Sequence, residues 1–226
     1  MCVPLAMQRV ERGLSRRAFL AGGLGLLGGL AQGAPTPVPG KAFSRVWDLT
    51  HELSPNTPLF PGAEPMRITT LVTVRQNGHY GNRLDLWEHT GTHMDGPAHF
   101  VDGGATAEKL PPFQLIAPLA VIHIHEKAAK DPDARDTLHF PGFSPEAAEF
   151  RVREREIVGV GVDTLPLDFG PSQDFRTHPV LLGAGKYGLE NLAGLGQVPP
   201  QRGPDPRGAP KHQGASRERV RALAVW

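Results

Sequence analysis

The stretch HTGTHMDGPAHF, His89 to Phe100, sets three of the chain's ten histidines and an aspartate among two glycines and a proline within twelve residues. Its polar side chains His89, His93, Asp95 and His99 all carry odd numbers, so an extended strand would turn them to one face. A straight strand rises about 3.3 Å per residue, which would hold His89 and Asp95 roughly 20 Å apart, too far to share a metal whose bonds are about 2 Å long. A helix would bring His89 and His93 together at i, i+4, but Gly91, Gly96 and Pro97 oppose one. What remains is a strand end that curls, bent at Gly91 and stopped at Gly96-Pro97. Such a curl wraps its side chains about a point, which makes physical sense if something occupies that point. Imidazole nitrogens with a carboxylate oxygen suit a divalent ion, Zn²⁺ or Mn²⁺, and a small site with open positions reads as catalytic.

The rest of the chain sets bounds. Its 226 residues suffice for one domain or at most two small ones, and 39% hydrophobic with 21% charged residues is a globular composition. A net charge of +1 gives no reason to expect nucleic acid as a partner. Near the start, SRRAFL pairs Arg16 with Arg17 ahead of a Gly-rich apolar run of about fourteen residues, short of the roughly 20 that span a bilayer. It looks like a twin-arginine export signal, with residues 1–33 removed before Ala34. The mature protein is then expected outside the cytoplasm, periplasmic or secreted, without a stable membrane span. The single cysteine, Cys2, leaves with the leader, which excludes disulfides and thiol nucleophiles from the mature chain.

Residues 34–45 read as a Pro-rich linker, and 46–226 as one mixed α/β domain with few helices. RVWDLTHEL, MRITTLVTV from Met66, RLDLWEHTGTH and the final RVRALAVW are strand-like. Leu115 to Ile124 (LIAPLAVIHI) and IVGVGVDT read as buried strands. Ser144 caps a helix with Pro145 at its first position, and LENLAGL reads as a short helix. His178 precedes a proline and follows a polar loop, and Glu190 opens that short helix. His123 and His125 share one strand face but lack a third partner, His51 and His79 either line a substrate cleft or are simply exposed, and His212 reads as a loop residue.

His89-x-Gly-Thr-His93-x-Asp95-x-Pro-x-His99-Phe100 resembles the signature of the metal-dependent cyclase family, which includes bacterial kynurenine formamidases and isatin hydrolases. DLTHELSPNTPLFPG, GVDT at Gly161 and HPVLLGAGKYGLENL from His178 match the family pattern too, so the likeness covers most of Val46 to the C-terminus. It implies an α/β swivelling β/β/α fold and a homodimer acting on a small-molecule substrate. It also implies a first metal on His89, His93 and Asp95, and a second held by Asp95, His178 and Glu190. His99 would handle the proton. The activity implied is hydrolysis of amide-type C–N bonds in small aromatic or cyclic substrates by metal-activated water, with one or two ions.

Three departures from the pattern are visible. A core strand is missing after DPDAR, Pro204 and Pro206 in QRGPDPRGAPKH argue against a strand there, and Arg217-Glu218 stands where the family has a Gly-rich turn. They keep open an alternative, a metal- or ligand-binding relative without turnover.

Overall fold

Strands carry the framework, and their pairing decides what the helices can cover. A computed structural model describes residues 45–131, 139–208 and 215–225, with backbone alone for 201–208 and 218. The described residues belong to one compact unit, Phe43–Trp226. The leader 1–33 and nearly all of the linker 34–45 lie outside them, as does most of the stretch where a core strand was expected to be missing.

Among the described residues ten strands run in order: β1 (Val46–Asp48), β2 (Arg67–Val72), β3 (Gly81–Asp85), β4 (His93–Asp95), β5 (Ile116–Ala120), β6 (Gly159–Gly161), β7 (Tyr187–Glu190), β8 (Gln201–Gly208), β9 (Arg217–Arg219) and β10 (Arg221–Val225). Four short helices accompany them there: α1 (Val74–Asn77), α2 (His125–Ala128), α3 (Pro145–Glu154) and α4 (Thr177–Gly183). These strands form sheets in the orders β1-β10-β8-β5, β2-β3 and β6-β7-β4-β9. Among the described pairs all are antiparallel except β6 with β7. That parallel pair needs a crossover, and α4 supplies it.

The core has two parts. Leu49, Met94, Tyr187, Leu189, Ala222 and Ala224 pack together under β4 and β10. Ala148 of α3, Leu181 of α4, Val162 and Leu167 form the second cluster. Helix α3 begins as its sequence demands, with the Ser144 hydroxyl accepting from the Ala147 N–H at 3.2 Å and Pro145 at the first position.

Several expectations are corrected. LIAPLAVIHI is not a buried strand: among the described residues β5 pairs only with β8, and Ile116 is 57% exposed. LENLAGL is not a helix. Leu189 and Glu190 end β7, and the left-handed backbone of Asn191 (φ 57°) and Gly194 (φ 64°) denies a helical run. IVGVGVDT yields only the three-residue edge strand β6, half-buried. QRGPDPRG does form a strand despite Pro204 and Pro206. β10 pairs with β8 only at Arg207 and Gly208, so both prolines lie where β5 is its sole described neighbour, an edge position that tolerates them. Arg217 and Glu218, which replace the family's Gly-rich turn, stand in β9.

Candidate metal centre

Strand β4 is three residues long and lies between β7 and β9. Met94 points into the core at 0% exposure, so the period of two sends His93 and Asp95 together to the other face. Directly opposed residues of antiparallel strands share a face. On one side His93 faces Glu190 and Asp95 faces Gly188. On the other side Asp95 faces Arg217.

The segment around β4 curls as its glycines and proline suggest. Gly91 (φ 71°) makes the bend that precedes β4, and Pro97–His99 form a turn of 3₁₀ helix just after it. This returns His89 and His99 to the same spot: their ring centroids are 4.9 Å apart, with His93 5.1 Å from His89. The ligand atoms of His89, His93 and Asp95 lie within 4.8 Å of one another, and so do those of Asp95, His99 and His178.

His178 comes from the first turn of α4. Its Nε2 stands 3.4 Å from Asp95 Oδ2 and 3.1 Å from Glu190 Oε1. His93 Nε2 stands 3.3 Å from both Asp95 Oδ1 and Glu190 Oε2. Both carboxylates thus reach between the two imidazoles, one oxygen towards each. All six side chains singled out from the sequence meet here: His89, His93, Asp95, His99, His178 and Glu190.

Ring orientation is fixed from behind. His93 Nδ1 donates to the Gly91 carbonyl at 2.8 Å, and His178 Nδ1 donates to Asp168 Oδ2 at 2.5 Å. In each neutral ring this leaves the Nε2 lone pair facing the cluster, the arrangement a metal ligand needs. Asp168 also accepts from the Thr177 N–H at 2.7 Å, so one carboxylate organises the first turn of α4. Glu190 Oε1 accepts from the Leu167 N–H at 3.0 Å, which ties that loop to β7.

The charge balance is unusual for a buried site. Burial opposes a charge on His93, yet Asp95 and Glu190 outweigh it and raise the imidazole to about 10. Burial opposes a charge on His178 too, and Asp168, Asp95 and Glu190 together raise it to about 11. Against the pull of burial, His93 and His178 hold Asp95 well below the usual carboxylate range. Burial draws His99 down to about 4, with Asp95 opposing. Burial also lowers Arg217, to about 8, against the charge of Glu88, which leaves it cationic at neutral pH.

The donors fit a divalent ion. His93 Nε2 and both oxygens of Asp95 are buried and make no hydrogen bond, a costly state for polar atoms that coordination would relieve. Nitrogen and carboxylate donors together suit Zn²⁺ or Mn²⁺. Above them opens a cavity of about 180 Å³ walled by Phe60, Trp87, Phe100, Leu165, Pro166 and Phe175. Its floor is polar and its walls are largely aromatic, a shape for a small flat molecule.

Two functional neighbours escaped the sequence reading. Asp168 had a faint signal, a lone acid in the apolar run LPLDFG ten residues before His178. Arg217 had none, because only the β4–β9 register brings its Nε to 3.0 Å from Asp95 Oδ1.

Comparison with known proteins finds a family match, curated relatives and solved structures. The cyclase family, described as "Putative cyclase", matches residues 47–139. A kynurenine formamidase of Paracidovorax citrulli is 27% identical over 183 residues, covering 68% of this chain and 84% of that protein. Isatin hydrolase A from Ralstonia solanacearum superposes with a TM-score of 0.70 at 28% identity, over 80% of this chain and 91% of its own. An isatin hydrolase bound to the product analogue thioisatinate shares the fold, with a TM-score of 0.73 at 24% identity over 94% and 99% of the two chains. The matched segment, the curated relatives and the solved structures make this chain similar to the cyclase family over residues 47–139 and to kynurenine formamidases and isatin hydrolases over most of its length.

Proposed function

We infer that this protein is a metal-dependent hydrolase of amide-type C–N bonds in small aromatic or cyclic substrates. The observation that carries this reading is the set of buried donor atoms on His93 and Asp95 without hydrogen bonds, beneath an aromatic-walled cavity. In this reading His89, His93 and Asp95 hold a divalent ion, and Asp95, His178 and Glu190 offer a second position. The ion is Zn²⁺ or Mn²⁺, whose ligand preferences overlap. When bound, such an ion polarises a carbonyl and lowers the pKa of a water from 15.7 to roughly 7.

The chain's own residues supply the rest. Trp87, Phe100 and Phe175 grip a planar ring by edge and face contacts and keep bulk water out. His99 is uncharged at neutral pH, so it accepts the proton of the attacking water and returns it to the leaving nitrogen. Asp168 holds the His178 ring, and Leu167 holds Glu190, so neither ligand has to be ordered during turnover.

The test is elemental analysis of the purified protein together with assays on N-formylkynurenine, isatin and a panel of cyclic amides. Hydrolysis of at least one of these, lost on chelation and restored by Zn²⁺ or Mn²⁺, is the expected result. A second reading, a metal-binding relative without turnover, draws on the Arg217 guanidinium, whose Nε lies 3.0 Å from one oxygen of the shared carboxylate without hydrogen-bonding to it. It predicts bound metal and no hydrolysis of any member of the panel.

Two further readings complete the proposal. Export rests on the Arg16-Arg17 motif and is tested by fractionating cells that express the full chain. A homodimer is favoured by the β2–β3 pair, whose Ile68, Leu71 and Leu84 are 44%, 62% and 52% exposed. A two-stranded ribbon is marginal alone and gains most from a partner surface. Light scattering that gives a monomer mass at micromolar concentration would rule the dimer out.

A further inference from the structure

Arg217 is a buried cation whose hydrogen-bonding capacity the protein leaves unused. It is 6% exposed, stands opposite Asp95 across the β4–β9 ladder and lines the aromatic-walled cavity. A guanidinium carries five N–H donors and no acceptor. Its Nε lies 3.0 Å from Asp95 Oδ1, yet this nitrogen is buried and makes no hydrogen bond, so its N–H is aimed elsewhere. Among the described residues Asp95 is the one carboxylate in ion-pair range of the guanidinium. Glu88 accepts instead from the Ser216 hydroxyl at 2.9 Å.

A donor without an acceptor, out of reach of bulk water, is costly, and a molecule in the cavity can supply the acceptor. Asp95 belongs to both groups of candidate ligands, so the guanidinium stands at the donor cluster and not at the cavity mouth. The reacting carbon of an amide must lie at that cluster. Hydrolysis there breaks the C–N bond, joins the water oxygen to the carbon, gives one proton to the nitrogen and releases the other. The carbon that was an amide becomes a carboxylate, with a second oxygen and a full negative charge. A planar guanidinium matches a carboxylate in shape and charge, and gains far less from a neutral amide. The cavity of about 180 Å³ has room for one flat ring beside that group.

We propose that Arg217 binds the carboxylate that a cleaved amide leaves on its acyl fragment, so that the site favours an aromatic carboxylate over the matching amide. The proposal rests on the reading of the cavity as the substrate site of a metal-dependent hydrolase. It gives Arg217 a contact with the reacting molecule, separate from the residues that hold the ion.

The test uses the full chain with Zn²⁺ bound, its content fixed by elemental analysis, and two probes of equal shape, benzoate and benzamide. Binding is read by calorimetry and by quenching of tryptophan fluorescence, since Trp87 stands in the cavity wall. The wild type should bind benzoate at least about tenfold more tightly than benzamide, as hydrogen bonds to a charged group allow. Arg217→Gln should lose most of that preference through weaker benzoate binding, with benzamide affinity and Zn²⁺ content unchanged. The ion is common to both proteins, so the difference between them isolates the guanidinium. Arg217→Lys keeps the charge without the planar fork and should bind benzoate severalfold more weakly than the wild type. Equal binding of the two probes by the wild type would overturn the proposal and leave the hydrolase reading intact. A folded Arg217→Gln protein that keeps the full preference would overturn it as well, and so would one that loses Zn²⁺, which makes the residue a support for Asp95. If circular dichroism shows that Arg217→Gln does not fold, Arg217→Lys decides, and an unchanged benzoate affinity overturns the proposal. A wild type that takes up no Zn²⁺, or binds neither probe, would instead overturn the metal-hydrolase reading, and the proposal with it.

Discussion

Asp168 lies 2.5 Å behind Nδ1 of His178, ten residues before it in the chain, and determines which nitrogen of that ring faces the donor cluster. A carboxylate in this position orients the imidazole and raises its basicity. Asp168→Asn keeps the shape and removes the charge, so metal affinity should fall about 10–100-fold while the fold persists. Calorimetry with Zn²⁺, alongside circular dichroism, checks both halves of the prediction.

His99 is an imidazole of the cluster that burial keeps uncharged, at about 4 against an ordinary 6.5. His99→Ala should lower kcat by about 10²–10⁴-fold with bound metal unchanged. Loss of the metal in this variant would move His99 from proton carrier to ligand. Because its folded pKa is depressed, the acid limb of the rate profile should not reflect His99 until well below pH 6. The unfolded chain takes up this proton first, so His99 also makes stability fall as pH drops from 6.5 towards 4.

His93 and His178 behave in the opposite sense. Raised to about 10 and about 11 in the metal-free chain, they contribute stability that is complete below the unfolded value of 6.5. That contribution is lost as pH rises through about 10 to 11. Urea midpoints of metal-free protein should therefore drop across that alkaline range. An ion at neutral pH must expel these protons, so its affinity should rise steeply with pH. Calorimetry in two buffers of different ionisation enthalpy counts the protons released.

Gly142 shows how closely the support behind His178 is packed. A Cβ there would come within 2.2 Å of the carbonyl carbon and oxygen of Asp168. Gly142→Ala should cost about 1–3 kcal/mol by overpacking and weaken metal binding by shifting Asp168. Gly183→Ala, with open space at the end of α4, should leave metal binding unchanged. Thermal melts and a metal titration of the two variants separate these effects.

Leu181 reports on the scaffold alone. It is fully buried in the cluster between α3 and α4, and Leu181→Ala should cost about 2–5 kcal/mol. Chemical denaturation measures it.

Local chemistry was legible in the sequence. The bend at Gly91, the Ser144 cap and the last strand each follow from a few neighbouring residues, and the first of them suffices to gather His89, His93, Asp95 and His99. What could not be read depends on partners distant in the chain. Nothing near Arg217 announces that β9 will pair with β4 and set it opposite Asp95. LIAPLAVIHI carries the composition of a core strand, yet it pairs along only one side because β8 is its single described neighbour. Glu190 joins the cluster but stands in a strand and not a helix, since the left-handed Asn191 that ends β7 leaves no mark in composition.

The donors on β4 and β7 owe their places to which residue stands across from which. One amino acid gained or lost inside β4 would send His93 and Asp95 to the hydrocarbon side and expose Met94 to the cleft. The same change in the long connections would leave every pairing intact. Loop length can therefore vary, while the short strands beneath the cleft tolerate no indel.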